Sequence, residues 1–148
     1  MMTLALAHQL LPGSKLVGDP STVLTRIHTD TRTLLAGDLF VALKGERFDA
    51  HDFLTSFASA DAQSRPAASL IQHGLAGKSL ETLGLSGLEV ADTKVALGLL
   101  AKNWRAHLAK QKNIPVIAVT GSNGKTTLTQ MIASILKAWK GERSLATA

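Results

Sequence analysis

The stretch Ile114-Pro-Val-Ile-Ala-Val-Thr-Gly-Ser-Asn-Gly-Lys-Thr-Thr127 decides how this chain is read. Residues 114–119 form a short β-branched apolar run, the pattern of a buried parallel strand. Beyond the glycines, Leu128, Met131, Ile132, Ile135, Leu136 and Trp139 recur at helical spacing along one face. Strand, glycine loop and helix in that order make a phosphate-binding loop. Gly121 and Gly124 admit positive φ and a close approach of backbone N–H groups to phosphate oxygens. A helix opening near Lys125 adds unpaired N–H donors and a dipole that favours an anion.

Gly121, Ser122, Asn123, Gly124, Lys125, Thr126 and Thr127 are therefore the candidate nucleotide-binding residues. Lys125 is the candidate catalytic cation, reaching the β- and γ-phosphates as a point charge. Thr126 offers the hydroxyl expected to coordinate Mg²⁺, and Thr127 a second donor. The longer common form of this loop would place glycine at position 119, where Val119 stands, so this is the shorter Gly-x-x-Gly-Lys-Thr-Thr form. The plainer alternative is a tight β–α turn with an incidental lysine. A nucleotide-using domain needs further strands and another metal-binding carboxylate, and only 21 residues follow Thr127. The expectation is the front end of a larger enzyme.

Working outward, Asp92 is expected to cap a helix with Leu97, Leu100, Trp104 and Leu108 as its apolar stripe. Residues 111–113 link that helix to the phosphate-loop strand. Residues 3–11 read as a short helix capped by Thr3 and ended by Pro12-Gly13. Strands are expected at 23–28, 39–43, 67–71 and 88–90, and a helix at 50–60 with Phe53, Leu54 and Phe57 facing inward. Residues 29–32 are a polar turn and 45–49 a loop, while 74–88 stays ambiguous between helix and loops. The resulting fold class is α/β. A small amino-terminal α/β domain (residues 1–92) precedes a connecting helix and linker (93–113). The first strand–phosphate loop–helix unit of a parallel-sheet ATPase domain (114–148) follows. Residues 144–148 read as the start of one further strand.

Composition narrows the function classes. The 148 residues carry a net charge of +5, split unevenly. Residues 1–93 hold 7 Lys/Arg against 10 Asp/Glu, and residues 94–148 hold 9 against Glu142 alone. The basic residues are spread over helical surfaces, and six aromatic residues leave few stacking platforms, so no specific nucleic-acid partner is expected. No run approaches the roughly 20 apolar residues of a membrane helix, so no membrane insertion is expected. No secretory leader opens the chain, which points to the cytoplasm. Zero cysteines exclude disulfides and thiolate-bound metals. His8, His28, His73 and His107 form no metal-ligand spacing.

Two separated stretches carry a family resemblance. Thr29-Asp-Thr-Arg-Thr-Leu-Leu-Ala-Gly-Asp-Leu-Phe-Val-Ala-Leu-Lys-Gly-Glu-Arg-Phe-Asp-Ala-His-Asp-Phe53 resembles the amino-terminal domain of the bacterial Mur ligases. Val119-Thr-Gly-Ser-Asn-Gly-Lys-Thr-Thr127 resembles the ATP loop that opens their central domain. The resemblance covers essentially the whole chain but about the first third of such an enzyme. Within the family, residues 44–53 are most similar to the member that joins D-alanyl-D-alanine to UDP-N-acetylmuramoyl-tripeptide.

The resemblance implies an ATP- and Mg²⁺-dependent, monomeric ligase of cytoplasmic peptidoglycan precursor synthesis. In that family ATP converts the carboxylate of the UDP-N-acetylmuramoyl-peptide into an acyl phosphate, which the incoming amine attacks. It also implies that the amino-terminal domain holds the UDP end of the substrate. By motif position, Thr29, Thr31, Glu46, Arg47 and Phe48 are its candidate substrate-binding residues. Short hydroxyls suit a uracil or ribose, and Arg47 suits a diphosphate. The alternatives are local: Asp30 and Arg32 as a turn-stabilising pair, and Asp49, His51 and Asp52 as helix caps. Competing functions are the sister ligase adding the third amino acid to the UDP-dipeptide, and a non-catalytic nucleotide-binding module. The 148 residues alone are expected to be inactive as a ligase.

Overall fold

The computed structural model describes residues 2–61, 63–75, 77–112 and 114–146. It divides into two compact units, Met1–Lys112 and Asn113–Ala148.

In the first unit Thr3 accepts a hydrogen bond from the Leu6 N–H (3.2 Å) and so caps α1 (Leu4–Leu10). Met2–Thr3 is β1 and pairs antiparallel with β3 (Val23–Leu24). The run expected as a single strand over 23–28 is divided. β3 serves this small ribbon, while β4 (Arg26–His28) joins the main sheet. That sheet adds β2 (Lys15–Val17), β5 (Asp38–Val41), β6 (Ala68–Gln72) and β7 (Gly87–Val90), in the order β2-β7-β6-β5-β4. β4, β5, β6 and β7 run parallel, and β2 closes one edge antiparallel to β7.

Both faces of the central strands are covered, which is why they read as continuous apolar runs. Leu39, Val41, Leu70 and Leu88 pack towards α1 and α3 (Thr93–Gln111), with Leu4, Ala7, Leu11, Ala96 and Leu100. Phe40, Ala42 and Ile71 point the other way, onto Leu54 and Phe57 of α2 (Leu54–Ser59) and onto Leu80 and Leu85. In the ambiguous stretch 74–88, the described residues before Gly87 form turns and bare loop rather than a helix, with Leu80 and Leu85 as buried anchors, and its end enters β7. Asp92 caps α3 by accepting the Val95 N–H at 2.8 Å, and that helix lies within the first unit. The helix expected over 50–60 begins as a 3₁₀ turn, Ala50–Phe53, and continues as α2.

The second unit holds α4 (Lys125–Lys140) and a short 3₁₀ turn, Gly141–Arg143. The strand expected at 114–119 is not formed: residues 114–120 carry no ladder pairing, and Ile114, Val116 and Ile117 are exposed. A strand takes its hydrogen bonds from a neighbour, and every strand among the described residues belongs to the first unit. Residues 144–146 fall in no strand, and Thr147 and Ala148 lie outside the described residues, as does Asn113 of the expected linker.

Candidate functional site

Parallel pairing of β4 and β5 sends the segments that follow them to the same edge of the sheet. Open parallel sheets bind ligands outside the carboxyl ends of their strands. After β4 the chain enters Thr29 and a 3₁₀ turn, Thr31–Thr33, capped by Asp30. After β5 it makes a tight loop in which Lys44 and Asp49 form an isolated bridge. The Gly45 N–H donates to the Phe48 carbonyl (2.8 Å), and the Ala50 N–H to that of Leu43 (3.0 Å). Between the two segments lies a cavity of about 340 Å³ lined by Thr29, Asp30, Thr31, Arg32, Phe48, Ala50 and Phe53.

Three of the five expected substrate residues, Thr29, Thr31 and Phe48, thus meet at one cavity. Glu46 and Arg47 stand exposed on the loop beside it and do not line it. Phe48 is 58% exposed, and its ring leans on Phe53 with centroids 5.7 Å apart. Phe53, expected to face inward, stays half-buried because it builds this wall. Asp30, Arg32, Ala50 and Phe53 are lining residues that motif position did not single out. Their signal was present in the helical offset between Ala50 and Phe53 and in the polar turn itself.

The turn has a defined charge state. Asp30 accepts from the Arg32 N–H (3.0 Å), Nε (2.9 Å) and Nη2 (2.6 Å). These bonds, led by those from the guanidinium, hold the Asp30 carboxyl far below the usual carboxylate range. At the base of the segment, fully buried Asp38 accepts from Arg26 Nε (2.8 Å) and Nη2 (2.7 Å), and from the Leu35 N–H (2.8 Å). Arg26 is also the main reason the Asp38 carboxyl is lowered. Arg26 lines a second cavity, of about 420 Å³, with Met2, Leu24, Thr25, Ile27 and Trp104. With that cation engaged by Asp38, its walls are mostly apolar and carry no chemistry.

In the second unit, Gly124 (φ 74°) sits in the left-handed conformation before α4, and Gly121 also has positive φ (149°). The first hydrogen bond of the helix runs from the Leu128 N–H to the Gly124 carbonyl (2.9 Å). The N–H groups of Lys125, Thr126 and Thr127 consequently have no acceptor within the helix. Lys125 Nζ folds back over the loop, donating to the carbonyls of Gly121 and Ser122. No acidic side chain occupies the first turn, and Thr126 and Thr127 are exposed. Free N–H donors, a cation and adjacent hydroxyls are the donor set that a triphosphate with its Mg²⁺ requires. Among the described residues no cluster of three or more His, Cys, Asp or Glu side chains could hold a metal. No helix among them is long and apolar enough to cross a membrane.

The profile described as "Mur ligase family, catalytic domain" matches residues 23–105, a stretch that includes the cavity segments and stops before the phosphate loop. The UDP-N-acetylmuramoyl-tripeptide–D-alanyl-D-alanine ligase of Haemophilus influenzae is 41% identical over 124 residues, covering 84% of this chain and 24% of that protein. Its Escherichia coli counterpart is 44% identical over 113 residues (76% and 22%). The UDP-N-acetylmuramoyl-L-alanyl-D-glutamate–2,6-diaminopimelate ligase of Geobacter sulfurreducens is 30% identical over 119 residues (80% and 21%). Among solved structures, the UDP-N-acetylmuramoylalanyl-D-glutamyl-2,6-diaminopimelate–D-alanyl-D-alanyl ligase from Acinetobacter baumannii superposes with a TM-score of 0.72 at 36% identity. That match covers 92% of this chain and 28% of the other. The matched part of the chain therefore spans about a quarter of the length of these relatives.

Proposed function

Because the chain belongs to the Mur ligase family, we propose that it is the amino-terminal part of an ATP-dependent, cytoplasmic ligase joining D-alanyl-D-alanine to UDP-N-acetylmuramoyl-tripeptide through an acyl phosphate. The observation that carries this reading is the convergence of Thr29, Thr31 and Phe48 on one cavity at the carboxyl edge of the parallel sheet.

The roles follow from the chemistry of each group. Phe48 and Phe53 offer an aromatic wall on which a uracil can stack. Thr29 and Thr31 offer hydroxyls that both donate and accept. Arg47, exposed on the adjoining loop, would meet a diphosphate leaving the cavity. In the second unit, the N–H groups at the start of α4 and the Lys125 ammonium would hold the nucleotide phosphates. The Thr126 hydroxyl would face Mg²⁺. ATP with Mg²⁺ supplies the phosphoryl group and neutralises its charge; the loop positions it. With the match spanning about a quarter of the relatives' length, the 148 residues alone are expected to release no phosphate in the presence of D-alanyl-D-alanine. Measurable release would contradict this.

The sister reading is a ligase that adds a diamino acid to the UDP-dipeptide, favoured by the Geobacter relative. Calorimetric titration with both UDP-N-acetylmuramoyl-peptides separates the two. The tripeptide form is expected to bind more tightly. Phe48→Ala should weaken it by about tenfold, the value of one lost stacking contact, and Thr31→Val by less. Equal affinity in the wild-type chain and Phe48→Ala would remove the cavity from the substrate site.

A further inference from the structure

His51 is 1% exposed, yet it lies directly behind the cavity wall that contains Ala50 and Phe53. Both ring nitrogens are engaged. Nε2 accepts the Gln72 backbone N–H at 3.0 Å, across 21 residues of sequence. Nδ1 lies 2.5 Å from Asp49 Oδ1, and the same oxygen also accepts the His51 backbone N–H (3.0 Å). A backbone N–H can only donate, so Nε2 must present its lone pair and Nδ1 must carry the proton given to Asp49. The ring is neutral in this arrangement. It bridges the carboxyl end of β6 to the residue that closes the 44–49 loop.

We propose that His51 is a positioning residue: as a neutral Nδ1–H imidazole it ties the Phe48-bearing loop to β6 and so sets the shape of the cavity. This deepens the substrate-site reading and rests on it for the ligand, though not for the loop. A side chain without an acceptor at the Nε2 position would leave the buried Gln72 N–H unpaired and break the tie. The charges nearby are Asp49 and Asp52 on its own turn, Lys44 across the loop bridge, and Lys78. Lys78 reaches Asp52 at 2.5 Å, while β6 contributes the uncharged Gln72 N–H. Burial pushes the Asp49 carboxyl up, but the two bonds from His51 outweigh it, and the carboxyl lies below its usual range. Asp49 is thus an anionic acceptor at neutral pH.

The test follows amide exchange protection in the 148-residue chain at neutral pH, for the wild type, His51→Gln and His51→Phe. Affinity for UDP-N-acetylmuramoyl-tripeptide, a diphosphate diester, is measured alongside. In His51→Phe, protection at Gly45, Ala50 and Gln72 should fall about tenfold, the effect of one lost bond to a buried group. Affinity should fall with it, while the Leu39 and Leu88 amides stay protected. His51→Gln keeps an acceptor for Gln72, so both its readouts should stay near those of the wild type. Identical protection in all three proteins would overturn the proposal. If His51→Phe does not fold, Asp49→Ala, which removes the other end of the tie, decides, and unchanged protection at Gly45 and Ala50 overturns it. A wild-type chain that binds no probe would sink the substrate reading, while the exchange data would still decide the role of His51.

Discussion

At the scale of single residues, the pair Arg26–Asp38 shows how the polar turn is anchored. Asp38 is fully buried, accepts three hydrogen bonds and fixes both ends of the segment that carries Thr29 and Thr31. The Arg26 side chain is 44% exposed, so water takes over the guanidinium when Asp38 is removed, and the loss is that of the three hydrogen bonds the carboxylate accepts. Asp38→Ala should lower the urea midpoint of unfolding. The pH sign follows from the lowered Asp38 carboxyl, whose first cause is the Arg26 hydrogen bond. Its stabilisation is fully present above the unfolded value, about 3.9, and is lost as pH falls through the lower folded one. Acid titration of wild-type stability should show this loss below about pH 4, and in Asp38→Ala the loss should be smaller, since the lowered carboxyls of Asp30 and Asp49 remain. A sequence reader sees Gly37-Asp38 as a turn. The guanidinium that captures the carboxylate lies 12 positions away and is found only once β4 and β5 pair.

Among the elements, register and close approach dominate. Gly87 pairs with Ser69 between β6 and β7, and a Cβ on Gly87 would lie 1.8 Å from the Ser69 carbonyl oxygen. No side chain can yield there, since the obstacle is backbone. Gly87→Ala should therefore cost about 4 kcal/mol or prevent folding, at the severe end for overpacking, as read by thermal unfolding. Gly87 was legible only as part of a Gly- and Ser-rich stretch, because its constraint comes from a neighbouring strand.

Elements whose signals are local were readable: Thr3 and Asp92 as caps, the 39–43 run as a central strand, Gly124 before α4. Those that depend on partners were not. The two-residue β1 and three-residue β2 exist through their pairing with β3 and β7. The apolar run at 114–119, without a partner, forms no strand.

Across the whole molecule, the first unit has two buried clusters on either side of a five-stranded sheet, whereas no residue of α4 is buried. Of the apolar stripe of α4, Leu128, Met131, Ile135 and Trp139 are exposed and Ile132 and Leu136 half-buried, so the periodicity that identified the helix does not describe a core here. The candidate site was partly legible for a related reason. Thr29, Thr31 and Phe48 follow from motif position, but the backing by Phe53, Ala50 and His51 needs the sheet to bring β6 behind the loop.

The most direct test of the substrate site is backbone amide shift mapping of the labelled chain during titration with UDP-N-acetylmuramoyl-tripeptide. Shifts gathered at Thr29–Arg32 and Gly45–Phe53 are the expected result, with the strands of the sheet nearly still. Saturable binding that leaves those residues unmoved, or no shift at millimolar concentration, would contradict it.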